Sequence, residues 1–120
     1  MSVNQSEIKI HVALNEKKLP VSLSWSAEEV GEKEKPCEAL MLSLWDTQEK
    51  NTLRIDLWTQ NMRKDEMTDF FFQSLVSSAE TYERATGIRG IAEATKQFCR
   101  QLSETITQQV QSSADTEGMQ

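Results

Sequence analysis

The sequence predicts an α+β fold: a four-stranded antiparallel sheet made of two hairpins, followed by two amphipathic helices packed on one face of the sheet. Three observations support this prediction. Apolar and polar residues alternate in two stretches of the first half, and the apolar spacing lengthens to 3.6 residues near residue 62. A sheet with one apolar face also needs a cover, which two such helices supply. We expect one domain over residues 1–111 and a disordered tail over residues 112–120, which are almost devoid of apolar side chains.

The first hairpin is predicted from the alternation on both sides of residues 15–18. Folding the chain back within this segment matches every apolar residue of one strand with one of the other. The expected pairs are Leu14 with Val21, Val12 with Leu23, and Ile10 with Trp25.

The second hairpin follows from the same pattern, with a turn around Gln48 and Glu49. The expected pairs are Leu44 with Leu53, Leu42 with Ile55, and Leu40 with Leu57. Residues 27–38, between the hairpins, are highly charged and are interrupted by Gly31 and Pro36. We therefore expect them to form an irregular surface connection.

Two helices are predicted over residues 62–85 and 90–111, with Gly87 ending the first. The apolar face of the first helix is expected to contain Met67, Phe71, Leu75, Ser78, Ala79, Tyr82 and Ala85. The second helix has a narrower stripe, formed by Ile91, Ala94, Phe98, Leu102, Ile106 and Val110.

Composition excludes several classes of function. The formal net charge is −6 and the pI is about 4.8, so the basic surface that nucleic-acid binding requires is missing. No apolar run approaches the roughly 20 residues of a membrane-spanning helix, and the first residues do not resemble a secretory signal. Cys37 and Cys99 are far apart in the sequence, which favours free thiols in a reducing cytoplasm. With a single histidine and no closely spaced cysteines, we expect neither a metal site nor a cofactor.

The strongest candidate for a functional surface is the side of the second hairpin opposite its leucines. Met41, Trp45 and Trp58 are expected on this side, which the helices would leave uncovered. Exposed aromatic groups of this kind are typical of protein-binding or self-association surfaces. Phe70 lies off the apolar stripe of the first helix and would extend that surface. The alternative is that the indole rings fold against the domain's own loops, and that Phe70 contacts the second helix.

The sequence contains no group of residues that strongly indicates a catalytic site. His11 is expected opposite Ser24, but no orienting acid or sharp turn accompanies the pair, so we interpret it as a solvated strand surface. Arg54 and Asp56 share a face with Trp58 and are expected to form an ordinary exposed ion pair. Neither cysteine has a basic neighbour that would activate it. We therefore predict that the chain is not an enzyme.

Several ungapped motifs resemble the gliding motility protein family GldC and occur in the right order. They are SEIKI at 6–10, SWSAEE at 24–29, LSLWD at 42–46, LRIDLW at 53–58, DEMTDFF at 65–71, ETYERATG at 80–87 and the pair Phe98-Cys99. The resemblance covers residues 6–110 and implies a cytoplasmic accessory protein of the gliding machinery of Bacteroidetes, without a transmembrane segment. It transfers no catalytic residue.

These observations favour two functions. The first is a non-enzymatic accessory protein that binds components of the gliding machinery, with self-association into a homo-oligomer also expected. The alternative is an export chaperone that binds unfolded clients, because four antiparallel strands followed by two helices are similar in architecture to SecB. That similarity concerns the fold alone, and a shared fold does not establish a shared function.

Overall fold

The structure is a computed structural model that describes residues 3–118, and the chain forms two compact units that divide after Met67. The first unit contains five strands and a short 3-10 helix at Glu28–Val30, and the second contains most of the first α-helix and all of the second. The elements are β1 (Lys9–Leu14), β2 (Pro20–Ala27), β3 (Glu32–Cys37), β4 (Ala39–Trp45), β5 (Thr52–Trp58), α1 (Lys64–Thr86) and α2 (Ile91–Gly118). The α+β class is confirmed. The single four-stranded sheet is wrong, because the strands form a three-stranded sheet, β1-β2-β3, and a two-stranded sheet, β4-β5.

The β1–β2 hairpin has most of the predicted register. Ile10 is opposite Trp25 and Val12 is opposite Leu23, but Leu14 is opposite Pro20 instead of Val21. The shift occurs at an irregularity between Ala13 and Leu14. Next to it, the Asn15 side chain accepts hydrogen bonds from the backbone N–H groups of Lys17 and Leu19 and so stabilises the turn between the strands.

Strand β3 was not predicted, because residues 27–38 were expected to be an irregular connection. Its sequence, EKEKPC, is too charged to show an alternating pattern, and its pairing comes from backbone bonds to β2. Glu34 has a φ of 48° beside a register shift, and its N–H donates to the Ser26 hydroxyl at 2.9 Å. A bulge and a proline are tolerated here because β3 is an edge strand.

The β4–β5 hairpin has the predicted register throughout. Leu44 is opposite Leu53, Leu42 opposite Ile55, and Leu40 opposite Leu57. Residues 46–51 make the turn, in which the Asp46 carboxylate accepts the N–H groups of Gln48 and Glu49. Lys50 closes the turn in the left-handed conformation, with a φ of 54°.

One residue, Glu38, separates β3 from β4, and Thr59 binds it twice. The Thr59 N–H donates to the Glu38 carbonyl at 2.9 Å, and the Thr59 hydroxyl donates to the Glu38 carboxylate. Thr59 is 1% exposed, although its immediate neighbours Trp58 and Gln60 are exposed. This double contact therefore fixes the junction between the two sheets.

The two helices occur where they were predicted, but α2 is longer. Gly87 has a φ of 77°, and its N–H bonds to the Glu83 carbonyl, which ends α1 as expected. The Glu83 carboxylate accepts the N–H of Ile91 at 3.0 Å and so caps the start of α2. Helix α2 continues to Gly118, beyond the expected end near residue 111. Residues 119–120 of the expected tail lie outside the described residues, and the disorder of the tail stays a prediction.

The less exposed faces of the helices are rotated from the predicted stripes. On α1, Phe71 and Tyr82 are 37% and 46% exposed, whereas Ala79 is buried. On α2, Phe98 and Val110 are 52% and 62% exposed. The less exposed residues include a row spaced by three and four, which contains Phe72, Leu75, Val76, Ala79 and Glu83 on α1 and Ile91, Thr95, Cys99, Leu102 and Ile106 on α2. The packing of the helices on one face of a sheet, within a single domain, stays a prediction.

Candidate protein-binding face

Met41, Trp45 and Trp58 lie on one face of the β4–β5 hairpin. The register places Trp58 opposite Ala39 at one end of the hairpin and Trp45 opposite Thr52 at the other. Because side chains alternate along a strand, all five residues point to the same side. We call this side the Trp face. Its two ends are six positions apart along the strands, so the backbones that carry the two rings are about 20 Å apart.

The large side chains of the Trp face are open to solvent. Trp45 is 66% exposed, Trp58 is 59% exposed and Met41 is 36% exposed. Indole rings are among the most favourable side chains to bury at protein interfaces, since one group combines a large apolar area with an N–H donor. Two exposed indoles on one short hairpin are therefore the main feature of this surface.

An ion pair lies between the two rings. The Arg54 guanidinium is 2.9 Å from the Asp56 carboxylate, as expected from their spacing of two residues. Both side chains are solvated, so the pair contributes under about 1 kcal/mol to stability. The Trp face thus has an indole ring at each end and an ion pair between them.

The opposite side of the hairpin is entirely apolar, and we call it the Leu face. It contains Leu40, Leu42, Leu44, Leu53, Ile55 and Leu57. Leu44, Leu53 and Ile55 are 49–53% exposed, so the face that was expected to be core is only partly covered. The hairpin therefore offers apolar groups to solvent on both sides.

Phe70 lies on α1, in the second compact unit, and is half-buried. The structure thus brings together Met41, Trp45 and Trp58 within one hairpin. The membership of Phe70 in the same surface stays a prediction.

The arrangement around His11 lacks the contacts of a catalytic site. His11 is opposite Ser24, as expected, and it lines an open groove of about 780 Å³ together with Glu28, Glu32 and Glu34. Among residues 3–118, no hydrogen bond or ion pair orients the imidazole. The described part of the chain also holds no cluster of three or more side chains suited to a metal ion.

Cys37 and Cys99 are both free, and Cys99 is buried. Burial raises the pKa of the Cys37 thiol, and the negative charge of Glu38 raises that pKa further. A raised pKa keeps the thiol protonated at neutral pH, which is the opposite of what a nucleophile needs.

Two features of the structure were not predicted from the sequence. The pairing of Thr59 with Glu38 joins residues 21 positions apart, and no pattern in the sequence connects them. The open edge of β4 was also missed. A clue was present, since residues 39–45 contain no charge, proline or glycine, but openness depends on which strands pair.

Comparison with known proteins identifies a family. A sequence profile described as "Gliding motility-associated protein GldC-like" matches residues 20–108, which include strands β2 to β5, helix α1 and most of α2. The chain has no match among the curated proteins or among the solved structures. Within residues 3–118, neither helix has a stretch long and apolar enough to span a membrane. The match extends over most of the 120 residues, and the chain therefore belongs to the gliding motility-associated GldC-like family.

Proposed function

We propose that this chain is a non-enzymatic accessory protein of the gliding motility machinery and acts by binding other proteins through its Trp face. Family membership supports the process, and the exposure of Trp45 and Trp58 supports the mode of action. We place the protein in the cytoplasm, where the free thiols of Cys37 and Cys99 would stay reduced.

The exposed indoles are the single observation on which the mode of action rests. A solvated Trp ring is unfavourable in a monomer, and Trp is enriched among the interface residues whose truncation costs about 2 kcal/mol or more of binding free energy. The polar centre of the face would set orientation, since Arg54 and Asp56 can exchange their mutual bond for bonds to a partner. The chain's net charge of −6 favours encounter with a basic surface.

A pull-down from gliding cells tests the proposal. The bait is the full chain, compared with the double variant Trp45→Ser, Trp58→Ser. We expect the wild type to enrich specific components of the machinery and the double variant to lose them by at least tenfold. Both proteins should give the same far-ultraviolet circular dichroism, because the replaced rings are mostly solvated.

The matched control removes similarly exposed apolar groups elsewhere. Phe98→Ser with Val110→Ser changes two helix residues that are 52% and 62% exposed, and this variant should keep every partner. Equal recovery of partners by the wild type and the folded Trp variant would contradict a binding role for the Trp face.

The Leu face favours a second candidate, an export chaperone that binds unfolded clients. Leu44, Leu53 and Ile55 are about half exposed and would suit an extended apolar segment. The architectural similarity to SecB is weaker than expected, because five strands in two sheets replace four strands in one. A chaperone suppresses aggregation of an unrelated unfolded protein at near-equimolar ratio. A dedicated motility factor leaves that aggregation unchanged and still captures its partners.

A further inference from the structure

Strand β4 differs from the other edge strands in having no charged residue. Natural edge strands avoid unwanted pairing by means of charges, prolines and bulges. Strand β1 has Lys9 and an irregularity, β3 has Lys33, Lys35 and Pro36, and β5 has Arg54 and Asp56. The one other strand without charge, β2, is central and paired on both edges. Strand β4 therefore has the composition of a central strand, yet within residues 3–118 it pairs only with β5.

The hydrogen-bond pattern identifies the unpaired groups of β4. The bond from Thr59 N–H to the Glu38 carbonyl makes Ala39 and Trp58 a non-hydrogen-bonded pair in the antiparallel ladder. The bonds therefore fall on Leu40, Leu42 and Leu44, and the N–H and C=O groups of Ala39, Met41, Ser43 and Trp45 point away from β5. In the described part of the chain, none of these groups has another partner.

We propose that β4 pairs with β4 of a second copy of this chain, antiparallel and across a twofold axis at Leu42. The result is a continuous four-stranded sheet in the order β5-β4-β4-β5. This inference concerns the edge of the hairpin and does not rest on the Trp face binding a machinery component.

The twofold axis at Leu42 satisfies all the unpaired groups. It places Met41 opposite Ser43 of the second copy and Ala39 opposite Trp45 of the second copy. Both members of each pair have outward-pointing backbone groups, so four pairs exchange two hydrogen bonds each, and about eight bonds form. Leu42 meets its own symmetry mate as a non-hydrogen-bonded pair, with the two Cα atoms about 4.5 Å apart.

Side chains on the Trp face are complementary in this register. Ala39 lies between Trp58 of its own chain and Trp45 of the second copy, since it is opposite Trp58 in the monomer. Strands are about 4.8 Å apart, so the two rings are separated by roughly 10 Å at their backbones and can meet above the small alanine. On the other side, the two Leu faces join into one apolar surface.

Pairing of the two strands also covers exposed side chains. Trp45, Trp58, Met41 and Leu44 have exposed fractions between 36% and 66%. Complete burial of these four residues removes at most roughly 500 Å² of surface per copy, a total close to the lower limit of about 1,000 Å² for a specific interface. A two-stranded sheet is also only marginally stable by itself, and pairing with β4 and β5 of the second copy stabilises it.

Analytical ultracentrifugation of the purified chain tests the pairing. We expect a species of twice the 13.7 kDa chain mass at tens of micromolar concentration. Ser43→Pro removes an outward N–H without breaking a bond to β5, and it should shift the protein to monomer. Ser43→Lys should do the same by placing charge at the edge, whereas Ser43→Val, which keeps the N–H, should remain a dimer. A monomeric wild type, or a dimer that persists in both the folded Pro and Lys variants, would overturn the proposal.

Disulfide trapping tests the register. In a Cys37→Ser, Cys99→Ala background, Leu42→Cys places two thiols opposite each other on the axis, at a spacing that permits a disulfide. We expect mild oxidation to give covalent dimers of this variant at least tenfold faster than of Ser43→Cys, whose thiol is opposite Met41 of the second copy. Equal rates for the two variants, or faster trapping at position 43, would overturn the axis at Leu42. Both measurements use the pure protein, so their outcome is independent of the pull-down.

Discussion

Thr59 shows how one polar side chain can fix the path of the chain. Among residues 3–113 it is the one buried polar residue, and both its hydroxyl and its N–H bind Glu38. Its carbonyl accepts the N–H of Met62 in the turn that precedes α1. Strand β5, the junction between β3 and β4, and the approach to α1 therefore meet at a single residue.

We expect Thr59→Val to destabilise the fold by about 1–3 kcal/mol, because the buried site loses its hydroxyl and the Glu38 carboxylate loses a donor. Urea unfolding at a common chain concentration measures the change. Thr52→Val is the matched control, since Thr52 lies on the same strand but is exposed, and its effect should stay within about 0.5 kcal/mol. Equal midpoints for the two variants would show that the contact with Glu38 does not hold the junction.

Cys37 gives a prediction about pH. Burial and the charge of Glu38 raise the pKa of this thiol in the folded protein, so folding favours the protonated form. The associated stability is present below the unfolded pKa and is lost as the pH rises through the folded pKa. In a Cys99→Ala variant, the alkylation rate of Cys37 should reach its midpoint at a higher pH than in the urea-unfolded chain. A midpoint at or below the unfolded value would show that the thiol is not shielded.

At the scale of elements, alternation predicted both hairpins because their pairing is local. Leu42 and Ile55 are close in sequence, and each apolar residue has one matching partner. The charged sequence of β3 carries no such signal, because its pairing with β2 is a property of backbone groups. The observed less exposed face of α1 differs from the predicted stripe because Phe71 and Phe72 are adjacent and equally apolar. Only packing selects Phe72 as the less exposed ring.

The two faces of β4 can be compared by placing the same charge on each. Leu42→Asp puts a carboxylate among the side chains of the Leu face, and we expect a loss of about 2–3 kcal/mol. Ser43→Asp lies opposite Arg54 on the Trp face and should be neutral within about 0.5 kcal/mol. Thermal unfolding at submicromolar concentration measures both. Equal melting temperatures would contradict the assignment of the two faces.

The end of α2 is tested by truncation. Residues 111–113 are exposed, and residues 112–120 bring little apolar area to any core. Deleting residues 112–120 should therefore leave the melting temperature unchanged, although the helix runs to Gly118. A drop of several degrees would indicate that the last turns dock on the rest of the protein.

At the scale of the whole molecule, the chain buries few large side chains and exposes many. Leu23 is 3% exposed, whereas several large apolar residues on β1, β4, β5 and both helices are 36% exposed or more. The sequence predicted the Trp face, since strand alternation places Trp45 and Trp58 opposite the leucines. It did not predict that the Leu face would also be half open, because that depends on how much of the chain covers it.

The central claim is that the Trp face performs the protein's task in gliding. The most direct measurement replaces the gene in gliding cells with the double variant Trp45→Ser, Trp58→Ser and follows the movement of single cells. We predict that the variant accumulates to wild-type levels while gliding is lost or strongly slowed, and that the Phe98→Ser, Val110→Ser control glides normally. Normal gliding by cells that contain the Trp variant at wild-type levels would contradict the account.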